Sequence, residues 1–194
     1  YAKSLNKAAD RYGINRHWNM NLSELRPDKK EAVFTNIQTG ETTTMEYDMI
    51  HVTPPQSAPD VIANSPVAAS SGWVEVDPAT TQHTRYSNVF ALGDCSNMPT
   101  SKTGAAIRKQ APTTVANLLS AIAGKPLTKE YNGYTSCPLV TGYGSLILAE
   151  FDYKKQPMES FPFDQYKERY SMYALKAYAL PRMYWHGMLR GREF

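Results

Sequence analysis

Apolar residues along this chain change their period several times, and each change marks a predicted element. In the opening YAKSLNKAADRYGI, Leu5, Ala8, Ala9 and Tyr12 share one face at helical spacing, and Gly13 is a stop signal. Beyond Glu31 the period falls to two. Ala32, Phe34 and Asn36 alternate with Val33, Thr35 and Ile37, and QTGE makes a turn before a run rich in Thr, Met and Tyr. This pattern predicts a β-hairpin. Residues 49–52 (MIHV) read as a short buried strand, ended by Pro54-Pro55, which can neither donate to a sheet nor continue it. Residues 56–71 read as a loop with one helical turn over 59–63. GWVEVDP and residues 89–92 of SNVFALGDC read as two further strands, the second running into Gly93-Asp94. Over 103–123 the spacing predicts a helix, with Ala106, Ile107, Val115, Leu118, Leu119 and Ile122 as its apolar stripe. Gly124 should stop this helix, and Pro112 should kink or break it. A turn-rich stretch over 133–144, a strand over 145–151 and amphipathic helices over 164–179 and 182–189, flanking Pro181, complete the expectation. No internal repeat is visible.

Composition adds bounds. With 194 residues, 42% hydrophobic and 20% charged, the chain suits one or two globular domains. It does not suit a disordered tail, a collagen-like repeat or a disulfide-stapled miniprotein. No run of 18 apolar residues exists, so no transmembrane span is expected. Cys95 and Cys137 are too few for a disulfide framework and lack CxxC or HxxxH partners, so no metal site is expected. The absence of an initiator Met and the start inside a helix point to a piece of a longer protein. The net charge of +3 is unevenly placed. Residues 151–194 hold eight basic and five acidic residues, and therefore the whole excess, together with 11 of the 22 aromatics.

The stretch NVFALGDCSNMPTSKTGAAIRKQ carries the chemistry. A strand delivering Gly-Asp at its carboxyl end, followed within about ten residues by a helix, forms the sheet edge where ligands bind in doubly wound folds. Glycine allows close approach of the backbone, and a carboxylate accepts from sugar-like hydroxyls. A helix starting near Thr103 offers free N–H groups and a partial positive charge, to which Lys102 adds a full one. That combination suits an anion, or a ring that becomes anionic on reduction. It also suits an ordinary strand-to-helix loop with a capping Thr and a solvated Lys, and spacing alone leaves both open.

VFALGDC resembles the second flavin-binding motif of flavoproteins built from two dinucleotide-binding domains. More specifically, GDCSNMPTSKTGAA, YTSCPLVTGYG, LILAEFDY, FPFDQ and KERYSMY resemble sulfide:quinone oxidoreductases, over nearly the whole chain. The Cys directly after Gly-Asp is the most specific feature. The resemblance implies an α/β fold, the C-terminal part of a Rossmann-like flavoprotein with a β-hairpin and a C-terminal amphipathic helical membrane region. Residues 1–47 would close the second Rossmann-like domain, 48–125 would be the C-terminal segment of the FAD-binding domain, and 126–194 would meet quinone and membrane. It further implies FAD as cofactor, Cys95 as one of two redox cysteines, and Gly93 and Asp94 as the ribityl-binding pair. Lys102 and Thr103 would lie beneath the flavin ring, and Pro54-Pro55 in the loop that closes over the cofactor. The implied partners are sulfide, a sulfane-sulfur acceptor, a membrane quinone and the membrane surface, with no nucleic acid and homodimerisation left open. The partner of Cys95 is expected upstream of Tyr1, Cys137 matches a structural position, and no GxGxxG is present. The chain by itself is accordingly expected to be colourless and inactive.

Chemistry supports such a role for Cys95. A thiolate is the nucleophile, and a nearby Lys and helix N-terminus lower a thiol's pKa. Exchange with hydrosulfide needs an accessible sulfur and a good leaving thiolate. In the tail, Tyr166, Tyr170 and Tyr173 fall at i, i+4 and i+7 among Lys and Arg, which suits packing on the chain's own domain or a bilayer interface. The resemblance favours the interface, as a monotopic anchor on a bacterial cytoplasmic membrane or, alternatively, the mitochondrial inner membrane; the ending GREF favours the bacterial one. Competing readings are a type II NADH:quinone oxidoreductase, which needs no Cys95, and a non-catalytic membrane-docking module. His17, His51, His83 and His186 share no spacing and read as structural or surface residues, with His51 nearest the expected flavin site.

Overall fold

The computed structural model describes residues 1–192 as a mixed α/β protein with two small antiparallel sheets. Glu193 and Phe194, the end of GREF, lie outside the described residues. The chain divides into two compact units, Lys7–Gln56 and Tyr1–Asn6 with the rest from Ser57 onward.

The smaller unit holds the second half of α1 (Ala2–Arg11) and a sheet in the order β1 (Met20–Arg26), β2 (Glu31–Asn36), β3 (Thr42–Glu46). Ala8 is the buried residue of α1, and Gly13 just beyond it takes a left-handed φ of 64°. The expected hairpin is β2–β3, with Ala32 opposite Met45 and Phe34 opposite Thr43. Its turn closes where Asn36 N–H donates to Glu41 O at 2.8 Å and Gly40 adopts a φ of 76°, which Gly takes without steric cost. β2 is the central strand, and Ala32 and Val33 are both buried, so both faces are covered there. β1 was not expected. Its face alternates poorly, and it forms by pairing with β2 across a register shift at Leu22/Glu24. Residues 49–52 form no strand and Met49 is 88% exposed. An apolar run stays extended only where a neighbouring strand pairs its N–H and C=O groups, and no described strand does so.

In the larger unit, the helical turn over 59–63 is α2 (Asp60–Ala63). The two expected strands are reduced to single bridges: Val74 with Ser96 in parallel, Val74 with Ala68, Val76 with His83, and Gln82 with Phe90. Val74, Val76, Ala91, Met98, Tyr131 and Tyr134 are their buried core. His83 is buried as well. Its Nδ1 accepts from the N–H groups of Arg85 (2.9 Å) and Tyr86 (3.2 Å), which leaves the proton on Nε2 for Val67 O at 3.1 Å. It is a structural histidine.

The long helix is α3 (Gly104–Ile122), capped by Thr103 Oγ1 accepting from Ala106 N–H at 3.1 Å. It runs through Pro112 without the expected break. The expected stripe is inverted. Ala106 is buried, but Val115, Leu118, Leu119 and Ile122 are exposed, and Gln110, Thr113, Thr114 and Asn117 face the core. Each of these polar groups has a fixed partner. Gln110 Oε1 accepts from Gly93 N–H at 2.8 Å, Thr114 Oγ1 meets Thr81 Oγ1 at 2.8 Å, and Asn117 Nδ2 donates to Thr80 O and Lys129 O. Asn117 Oδ1 takes Lys129 N–H at 3.1 Å. Burial of polar atoms is tolerated because every hydrogen-bonding need is met.

Residues 135–142, expected as turns, are β4 (Thr135–Gly142), paired with β5 (Ser145–Phe151) through a turn at Tyr143-Gly144. All of Leu146–Glu150 is buried, so β5 is covered on both faces. The tail is helical only from Tyr170: α4 (Tyr170–Ala174), a π-helical turn over Leu175–Ala179, and α5 (Leu180–His186) with Pro181 in its first turn. Pro181 therefore neither starts nor divides a helix: residues 170–186 run as one helical stretch, and Pro181 follows the π-helical turn, a local widening of the helix of the kind found at proline sites. Tyr166 lies outside the helix, which removes it from the expected triad, while Tyr170 and Tyr173 stack at 6.3 Å. Met172, Tyr173 and Leu175 pack on Leu146 and Leu148, so one face of the tail belongs to the fold.

Candidate functional site

Gly93–Cys95 forms a single 3-10 turn rather than the end of a regular strand. Gly93 sits at φ 64°, and a Cβ there would stand 3.0 Å from two side-chain carbons of Ile107 on α3. Glycine is required both by the backbone and by the closeness of the helix. Ser96 closes the turn, its N–H and its hydroxyl both donating to Gly93 O, at 3.2 and 2.9 Å. The segment before it is bound in parallel: Val74 N–H donates to Cys95 O at 2.8 Å and Asn97 N–H to Val74 O at 2.9 Å. Asp94 is thereby turned outward and exposed. Cys95 is half-buried against the core, with its thiol 3.2 Å from Leu92 O.

Lys102 approaches this turn from the loop ahead of α3. Its ammonium donates to Ser96 O and stands 4.1 Å over the ring of Trp73. Burial holds its pKa below the usual lysine value, against an opposing pull from the charges of Asp94 and Cys95. Thr103 caps the helix and shares a 2.9 Å hydroxyl contact with Thr135 on β4. At Gly104, the first residue of α3, a Cβ would meet nothing within 4 Å, so the helix start opens on free space. Just past the turn, a cleft of about 560 Å³ is lined by Met98, Thr100, Ser101, Thr135, Phe151 and Lys155.

The structure brings together Gly93, Asp94, Cys95, Lys102 and Thr103 in one unit. Pro54 and Pro55 are exposed residues of the smaller unit, as is His51. Cys137 is an exposed, free thiol on β4, opposite Ala149. Among the described residues no three His, Cys, Asp or Glu side chains converge as a metal site. Sequence reasoning missed Trp73, whose only signal was its place in a predicted strand. It also missed Glu150, which is 2% exposed on β5. Glu150 Oε1 accepts from the hydroxyls of Tyr134 and Ser160, and its Oε2 from Ser160 N–H at 2.7 Å and Gln165 Nε2 at 2.6 Å. Tyr134 and Tyr131 are raised above the usual phenol pKa by burial, Tyr134 further by the Glu150 carboxylate it binds.

Curated relatives match the chain at about half identity. It is 52% identical to the mouse mitochondrial sulfide:quinone oxidoreductase over 98% of its own length and 43% of the relative's. Against the protein of that name from Dictyostelium discoideum it is 51% identical over 100% of its length and 43% of the relative's. Against that from Schizosaccharomyces pombe it is 49% identical over 89% and 39%. No family model matches. Among solved structures, a chain of the Tetrahymena thermophila mitochondrial ATP synthase tetramer superposes with a TM-score of 0.78 at 25% identity, over 93% of this chain and 44% of that one. The relatives are oxidoreductases, and the chain spans about two-fifths of their length. Over nearly its whole length it is similar to sulfide:quinone oxidoreductases, and it fits a C-terminal portion of them.

Proposed function

We propose that the full-length protein is a flavin-dependent sulfide:quinone oxidoreductase in which Cys95 is one of two reacting sulfurs. The observation that carries this reading is the exposed Asp94 and half-buried Cys95 on one glycine-initiated turn, beside Lys102 and the start of α3. It stands in a chain about half identical to three proteins of that name. Hydrosulfide opens a disulfide between Cys95 and a second cysteine in the part of the protein this chain does not span. One sulfur becomes a persulfide and the other a thiolate, the exchange needing only an accessible sulfur and a stable leaving thiolate. A sulfane-sulfur acceptor then removes the outer sulfur.

The exposed Asp94 carboxylate and the open space at Gly104 support FAD as the cofactor of this site. Asp94 would accept from the ribityl hydroxyls and Gly93 would let the backbone come close. Lys102, Thr103 and the N-terminus of α3 would supply positive potential for a reduced ring, and Pro54-Pro55 would cover it. FAD, when bound, supplies the two-electron carrier between the sulfurs and quinone. In this reading residues 48–125 complete a Rossmann-like FAD domain, 1–47 close the second such domain, and 126–194 serve quinone and membrane. Sulfide-dependent quinone reduction by the full-length protein is the expected result, with none supported by NADH. Turnover with NADH and none with sulfide would instead make it a type II NADH:quinone oxidoreductase.

The tail carries the membrane part of the proposal. No described helix is long and apolar enough to cross a bilayer. Tyr170, Tyr178, Tyr184, Trp185 and Leu189 are exposed on a segment with Lys176, Arg182 and Arg190, while Met172 and Gly187 are buried. Exposed aromatics beside cations suit headgroup depth on an anionic surface. The names of the relatives favour the mitochondrial inner membrane over a bacterial one. Co-sedimentation with anionic vesicles is expected to fall at least tenfold when residues 176–192 are deleted. Equal sedimentation would remove the anchor.

A further inference from the structure

We propose that Trp73 is a positioning residue that holds the Lys102 ammonium beside the Asp94–Cys95 turn, so that Cys95 reacts as a thiolate. The inference rests on the reading of Cys95 as a reacting sulfur. Its geometric basis is independent of that reading.

Trp73 and Cys95 are tied through one parallel bridge. Val74, next to Trp73, donates its N–H to Cys95 O and accepts at its own carbonyl from Asn97 N–H, so the indole stands one residue from the bridge that carries the thiol. Lys102 enters from the other side. Its ammonium donates to Ser96 O, the carbonyl of the residue after Cys95, and its charge lies 4.1 Å above the Trp73 ring. That distance is well inside the roughly 6 Å range of a cation–π contact, and Trp is the strongest of the aromatic partners. A lysine on an open loop would keep its ammonium in water on a freely turning stem. Here the stem is half-buried and the head is held at two points. The ring neutralises none of the charge, unlike a carboxylate, and leaves it available to a neighbouring sulfur.

Asp94 lies in the same turn as Cys95 and disfavours the thiolate. Lys102 comes from the loop before α3 and favours it. Glu75, on the bridged segment, is drawn off by Arg85 at 3.5 Å. Tyr131 and Tyr134, from the core behind, are phenols held neutral by burial. Lys102 is therefore the group that offsets Asp94, and Trp73 is what fixes its place. Without the clamp, the ammonium is free to swing out to solvent, where its effect on the sulfur is screened.

The test is the pH dependence of Cys95 alkylation by iodoacetamide in the purified chain, in a Cys137→Ser background so that one thiol reports. Lys102→Met is expected to raise the midpoint by half a pH unit or more, which lowers the thiolate fraction near neutrality about threefold. Trp73→Leu is expected to raise it similarly, and Trp73→Phe, which keeps a ring face, by less. The double variant Trp73→Leu/Lys102→Met should shift no further than Lys102→Met alone, since the two act as one unit. An unchanged midpoint in Trp73→Leu with native circular dichroism overturns the proposal. So does a double variant whose shifts add. These readouts need no turnover. If sulfide oxidation proves independent of Cys95, the function assigned to the sulfur falls while the Trp73–Lys102 coupling is judged separately.

Discussion

Cys95→Ser in the full-length protein is expected to lower sulfide-dependent quinone reduction by on the order of 10³-fold or more, with the protein still folded and flavin still bound. A hydroxyl has neither the acidity nor the polarisability to form and release a sulfur–sulfur bond, so the change removes the reacting atom itself. The fold should hardly notice it. Cys95 is half-buried and its thiol makes one weak bond to Leu92 O at 3.2 Å, which a serine hydroxyl can replace. Steady-state turnover with sulfide, measured beside flavin absorbance, separates lost chemistry from lost cofactor. Retention of more than a tenth of the activity would mean that the sulfur at position 95 is not in the reaction. Cys137→Ser provides the contrast. Exposed on β4 and outside the turn, it should change turnover less than about twofold.

The second large effect is on stability and involves Glu150. This carboxylate is 2% exposed and takes four hydrogen bonds, from Tyr134, Ser160 twice and Gln165, which is itself fully buried. Through them β5 holds both β4 and the loop leading into the tail. Glu150→Ala would leave four donors without an acceptor and a cavity among them. Each unsatisfied buried group costs about 1–3 kcal/mol, and partial rescue by water reduces the sum, so a loss of roughly 3–5 kcal/mol is expected. At about 2–4 °C per kcal/mol for a chain of this size, Tm should fall by about 6–20 °C. Glu150→Gln keeps one acceptor oxygen but turns an NH₂ group towards the donors of Ser160 and Gln165, and should lie between. Thermal unfolding of the purified chain followed by circular dichroism measures both. An alanine variant within 0.5 kcal/mol of the parent would show that the network contributes nothing net.

The two regions differ in how far they could be read beforehand. Around Cys95, the order strand-like segment, Gly-Asp-Cys, Lys-Thr, helix was visible because each step uses local chemistry: a glycine where φ is positive, a threonine where a helix begins, and a cysteine whose neighbours are adjacent in the chain. The shape of the turn was not visible, because it depends on Ile107 and Gln110 reaching back from α3 to Gly93. Around Glu150 nothing was visible. An acid in LILAEFDY reads as the end of a strand, and its four hydrogen bonds come from positions 134, 160 and 165, in the segment before β4 and the loop leading into the tail.

Local pattern by itself determined α1, the β2–β3 hairpin with its QTGE turn, α2, the span of α3 with its Thr cap, and the β5 strand. Each of these rests on short-range period, capping or turn preference. Tertiary structure alone decided that β4 replaces a turn-rich stretch, that residues 49–52 stay irregular, and that Trp73 meets Lys102. It also decided that α3 buries Gln110, Thr113, Thr114 and Asn117 while Val115, Leu118, Leu119 and Ile122 face outward. The physical reason is common to all four. Periodicity separates the faces of an element, but which face is buried depends on what lies opposite, and a polar face whose every group finds a partner can be the one that does.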